Sequence, residues 1–149
     1  MNSKTRTYGV LAGAGTVFYL LLFYFADRAL FLNGGVIWSS LIIYLAFMYK
    51  AIVEERNALG GDIEFKEAVK PAFVVFIIAN VIYHSFIYLM FNFFDPALID
   101  LQRELMENSG IDTTGQDLKI PFLRAFFALI QSLIPGFAIS AILAAILKR

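Results

Sequence analysis

The feature that most limits what this chain can fold into is the run Pro71 to Phe94, PAFVVFIIANVIYHSFIYLMFNFF. It holds 24 residues and no Asp, Glu, Lys or Arg. As a helix it rises about 36 Å, enough to cross a hydrocarbon core of about 30 Å with some tilt. A helix that is apolar all round suits a bilayer or the centre of a large protein. The apolar excess of the chain is large and comes in blocks, so a bilayer explains it better than a water-soluble core. The only group in the run that titrates near neutral pH is His84, the single histidine of the chain.

Three further apolar blocks accompany it. Tyr8 to Ala26 is closed by Asp27-Arg28. At 19 residues it exceeds the usual 7–15-residue core of a secretory signal, and no clear small-x-small cleavage site follows. It reads as a retained span over 8–27. Gly9 and Gly13 form a G-x-x-x-G, which lets another helix approach closely; packing within the chain is favoured over dimerisation. Asn33-Gly34-Gly35 signals a turn. The second span covers 36–53, with Trp38 at its start as an interfacial aromatic and Lys50 snorkelling. The fourth span covers 121–147. There Arg124 reaches back to the interface, and Pro135-Gly136 predicts a kink. The chain is 60% hydrophobic, above the 45–50% or so of soluble domains. The fold class is therefore all-α: an integral membrane four-helix bundle in one domain, with short amphipathic interfacial helices.

The punctuation around the third span is specific. Glu54-Glu55-Arg56 ends the second helix and Gly60-Gly61 breaks the chain. Asp62 is placed to cap a short interfacial helix with Phe65, Ala68 and Val69 on its apolar face. Pro71 restricts Lys70 to extended geometry, so the elbow and the span read as two helices or one kinked one. Beyond the span, Asp95-Pro96 reads as an N-cap and first-turn pair for an outer amphipathic helix over 96–108.

Four spans put both termini on one side. That side carries Lys4, Arg6, Lys50, Arg56, Lys66, Lys70, Lys148 and Arg149. The other carries Arg28, Arg103, Lys119 and Arg124. The positive-inside rule places both termini in the cytoplasm. The expected location is the bacterial inner membrane.

Two groups of residues are candidates for a site. Asn80, His84 and Tyr88 lie on one helix face at i, i+4, i+8. Gln131, Ser132 or Ser39-Ser40 could stand opposite them. This cluster reads as a set of interhelical hydrogen bonds before it reads as a proton relay or substrate site. No Asp or Glu lies near it to couple a proton gradient. Arg56, Lys66 and Lys70 could contact anionic lipid, although such a loop needs basic residues for orientation in any case. An outward cation site at Asp95, Asp100, Glu104 and Asp112 has no matching loop spacing and reads as a cap plus a solvated face. No metal site or cofactor motif is evident. P-loop, G-x-S-x-G, H-E-x-x-H and C-x-x-C motifs are absent, and the chain has no cysteine. The net charge of +0 and the lack of a basic run give no footprint for nucleic acid.

The stretch Gly60-Gly61-Asp62-Ile63-Glu64-Phe65-Lys66-Glu67-Ala68-Val69-Lys70 before a span, closed by Phe94-Asp95-Pro96 and an acidic helix, resembles the DUF4199 family. That resemblance implies a small four-span bacterial membrane protein, and it brings no catalytic residues. The residues and the resemblance together lead to one expectation: a non-enzymatic scaffold or accessory subunit. Its partners would be the bilayer and either itself or another membrane protein. The alternative is a small transporter or an accessory that handles lipid or polyprenyl-phosphate sugars.

Overall fold

The computed structural model describes residues 3–148, so Arg149 of the charge count lies outside the described residues. The elements are α1 (Ser3–Ala26), α2 (Arg28–Phe31), α3 (Gly34–Ser39), α4 (Leu41–Ala58), α5 (Phe65–Leu89) with a π-helical turn at Met90–Phe94, α6 (Leu98–Asn108) and α7 (Phe122–Leu147). No strand occurs among the described residues. Four segments are long and apolar enough to cross a membrane: α1, α3 with α4, α5 with its π turn, and α7.

α5 is the central helix, packed against α1, α4 and α7. Its capping differs from the sequence expectation. Glu64, not Asp62, is the N-cap, and its side chain and that of Glu67 form a reciprocal capping box; the Glu64 N–H donates to Glu67 Oε2 at 3.0 Å. The elbow and the third span are one helix that runs through Pro71. Ala68, Val69, Pro71 and Ala72 are all buried. Tertiary packing of that face outweighs the local bias of the residue before proline.

The second span is broken where the sequence predicts continuity. α3 and α4 meet at Ser40, and the two together extend from Gly34 to Ala58, beyond the expected 36–53. Asn33 starts α3 with its Oδ1, which accepts the N–H groups of Gly35 and Val36. α2 is a single turn capped by Asp27. α7 continues through Pro135.

Two ion pairs identify which ends of the bundle lie together. Lys4 Nζ is 3.1 Å from Glu54 Oε2, joining the start of α1 to the end of α4. Arg28 Nη2 is 2.7 Å from Asp95 Oδ2, joining α2 to the exit of α5. Asp95 therefore does not cap the following helix. α6 starts at Leu98, with Ala97 at the N-cap position and no side-chain cap. The π turn, closed by Asp95 N–H to Met90 O at 2.8 Å, buries Met90 and Phe91 and leaves Phe93 and Phe94 exposed.

Close approach in lipid depends on small residues, because apolar contact alone gives no preference over lipid tails. The G-x-x-x-G of α1 is used inside the chain. A Cβ on Gly9 would sit 2.7 Å from Ile78 Cβ, and one on Gly13 2.7 Å from Ile82 Cδ1. On α7 the buried stripe is Gly136, Ser140 and Ala144. Gly136 lies directly on the Phe76 ring.

Candidate functional site

The polar residues at mid-depth form a chain of hydrogen bonds across three helices. Tyr44 of α4 donates its hydroxyl to Asn80 Oδ1 of α5 at 3.2 Å. Asn80 Nδ2 donates to Ser132 Oγ of α7 in a close contact. Ser132 Oγ in turn donates to the Leu129 carbonyl at 2.6 Å. Asn80 and Tyr44 are each 5% exposed. A buried amide with both ends satisfied holds helix register at little desolvation cost. Of the sequence candidates, Asn80 and Ser132 are brought together. Gln131 is not: it faces outward from α7, because it lies one residue from Ser132 and so about 100° around the helix. Tyr44 was not singled out by sequence, since a tyrosine within an apolar span gives no signal of which way its hydroxyl points.

His84 is one turn further along α5 and makes no hydrogen bond among the described residues. Its ring stands edge-on to Tyr83, with centroids 5.1 Å apart. Three clefts border it. One, of about 200 Å³, lies between α3, α4, α5 and α7, and Trp38, Ser40, Tyr44, Asn80 and Tyr83 line it with His84. A second, of about 310 Å³, is walled by Tyr88, Leu89, Phe122, Phe126 and Leu129. The third, of about 210 Å³, leads toward Gln102 and Arg124 at the α6 end. Tyr88 thus shares a cleft with His84 and not a hydrogen bond. Ser40 borders the first cleft but donates its hydroxyl to the Ile37 carbonyl at 2.5 Å, and Ser39 donates to the Gly35 carbonyl at 2.6 Å.

At the opposite end, Lys70 lines a cavity of about 550 Å³ together with Glu55, Glu67, Pro71, Phe73 and Val74. Lys66 is exposed and Arg56 half-buried; neither lines this cavity. The basic trio is thus not one pocket, and the carboxylates beside Lys70 offset its charge. The acidic outer residues do not assemble a cation site either. Asp95 accepts from Tyr24 at 2.9 Å and from Arg28. Among the described residues no three His, Asp or Glu side chains are grouped to hold a metal ion.

The connection from α6 to α7 is built on arginine and asparagine. Arg103 donates to the carbonyls of Thr113 and Gln116, both at 3.3 Å. Arg124 reaches back to the carbonyls of Asp117 and Lys119, both at 2.8 Å. Asn92 Nδ2 spans from the Tyr88 carbonyl to that of Ile120, at 2.9 and 2.8 Å. Asn92 was also missed by sequence: it lies near the end of an apolar run, where a solvated asparagine would be unremarkable.

Four apolar helices of spanning length, joined at mid-depth by neutral polar side chains and at each end by an ion pair, define a small polytopic helical membrane protein. The chain belongs to the DUF4199 family, described as a protein of unknown function, whose model matches residues 7–149. No curated protein and no solved structure matches it.

Proposed function

We propose that this chain is a non-enzymatic scaffold or accessory subunit of the bacterial inner membrane, with both termini in the cytoplasm. The observation that carries the reading is the Tyr44–Asn80–Ser132 chain, in which polar groups at mid-depth bond one helix to the next. The bundle has a long apolar surface on α7, where Phe127, Ile134, Ile142 and Ile146 are exposed. A partner with a helix of matching small-residue spacing can dock there. Photo-crosslinking from a residue analogue at Ile134 in growing cells tests this. A discrete protein adduct, identified by mass spectrometry, supports it; adducts to lipid alone from Ile134 and Ile142 overturn it.

Orientation follows from the excess of Lys and Arg on the termini side. A Thr114→Cys variant is expected to react with an impermeant thiol reagent on intact spheroplasts. Reaction only after lysis reverses the topology. The second reading, a transporter or lipid-handling accessory, draws support from the clefts that meet at His84.

A further inference from the structure

The cleft between α3, α4, α5 and α7 has an unusual wall for its depth. At 1.5 Å per residue, His84 stands about 21 Å along the helix from Lys70 and about 17 Å from Asp95. Both distances place it well inside the hydrocarbon region of a core about 30 Å thick. Phosphate and ammonium headgroups stay at the boundaries, so an occupant that meets His84 from this cleft carries a neutral head. The lining agrees, with no Asp, Glu, Lys or Arg among its residues. It does present neutral hydrogen-bonding groups. Ser40, Tyr44, Asn80 and Ser132 already bond one another or backbone carbonyls, which leaves the His84 ring, whose nitrogens are not engaged by other described residues, as the group open to an occupant. Flat side chains make up much of the rest: Trp38, Tyr44, Phe76 and Tyr83. Tyr44 and Phe76 meet edge to face at 5.5 Å, and Tyr83 meets His84 the same way at 5.1 Å.

From this we infer that the cleft binds the ring of a membrane quinone. Among lipids, a quinone places a flat, uncharged ring with strong hydrogen-bond acceptors within the hydrocarbon layer. The His84 N–H donates to one ring carbonyl, Trp38 and Tyr83 pack on the ring, and the isoprenoid tail lies in the bilayer. A polyprenyl phosphate does not fit the same wall, because no Lys or Arg lines this cleft; Arg124 lines the separate cleft toward α6. This inference goes beyond the accessory-subunit reading and stands without it: a missing protein partner would fall on that reading alone.

Trp38 is the only tryptophan of the chain, lines the cleft and is 75% exposed, so its emission carries a saturable part from cleft occupancy above a linear part from quinone in the lipid. The test is a titration of the purified protein in phosphatidylcholine nanodiscs with decylubiquinone. The expected result is saturable quenching of Trp38 that farnesol, a neutral isoprenoid without a ring, does not reverse. His84→Phe is expected to weaken the half-saturation by at least about threefold, the worth of one hydrogen bond within a membrane. His84→Gln, which keeps a donor, is expected to retain more of it than His84→Phe. Tyr83→Leu removes a ring wall without touching the Tyr44–Asn80–Ser132 chain and supplies a second variant if His84→Phe does not fold. Quenching with no saturable part above the linear rise overturns the inference. So does equal affinity in wild type, His84→Phe and Tyr83→Leu, or displacement of the quinone by farnesol.

Discussion

Arg28 and Asp95 are 67 residues apart in the chain, yet Nη2 of one lies 2.7 Å from Oδ2 of the other. Tyr24 adds a third group, donating to the same carboxylate at 2.9 Å. The Asp95 side chain is 14% exposed and that of Arg28 is 43% exposed. The pair fixes the corner after α1 to the π turn that ends α5.

Removing one partner leaves a largely buried carboxylate or an unopposed guanidinium. Arg28→Ala is expected to destabilise the bundle by about 1–3 kcal/mol, between the values for exposed and buried pairs. Asp95→Ala is expected to cost a similar amount. The double variant is expected to lose clearly less than the sum. Unfolding titrations in mixed micelles measure all three; strict additivity would show that the pair contributes nothing.

Gly136 packs on the Phe76 ring with no room for a methyl group. Gly136→Ala is expected to destabilise by about 1–3 kcal/mol through overpacking. Phe76→Leu in the same chain is expected to recover part of that loss. Gly15→Ala serves as the control, because its Cβ would meet Ile43 Cγ2 at an ordinary 3.4 Å. Equal melting temperatures for Gly136→Ala and Gly15→Ala would contradict the packing.

Asn80 satisfies two partners at once. Asn80→Leu is expected to cost about 1–2 kcal/mol, since it removes two interhelical bonds worth on average about 0.6 kcal/mol each and crowds the seam. Tyr44→Phe and Ser132→Ala are each expected to cost about half as much. Hydrogen exchange of α7 amides is the second readout: faster exchange in Asn80→Leu with α1 unchanged would place the loss at the α5–α7 seam.

In the loop after α6, hydrogen bonds from Thr114, its hydroxyl first and its backbone N–H second, hold the Asp112 carboxyl below its ordinary value of 3.8. A carboxylate with a lowered folded-state value stabilises the loop above the unfolded value. That contribution is lost as pH falls from 3.8 through the lower folded value. The Thr114 amide resonance is expected to hold its position down to that range and then move. In Asp112→Asn no such titration is expected.

The sequence by itself determined the number of spans, the sites where the chain turns and the family. These depend on unbroken apolar length and on Gly-Gly, Asn-Gly and Asp-Pro punctuation, properties of neighbouring residues. It also picked out Asn80, His84 and Ser132, because polar side chains in a charge-free run are few. Only the tertiary structure decided what those groups do. Whether Ser132 or Gln131 meets Asn80 depends on the rotation of α7. Whether Asp95 caps α6 or binds Arg28 depends on a residue 67 positions away. Whether Pro71 breaks a helix depends on what buries Ala68 and Ala72. Helix rotation and pairing are set by shape, by Gly9 and Gly13 against Ile78 and Ile82 and by Gly136 against Phe76. Shape between distant segments leaves no local trace in a sequence where nearly every candidate contact is equally apolar.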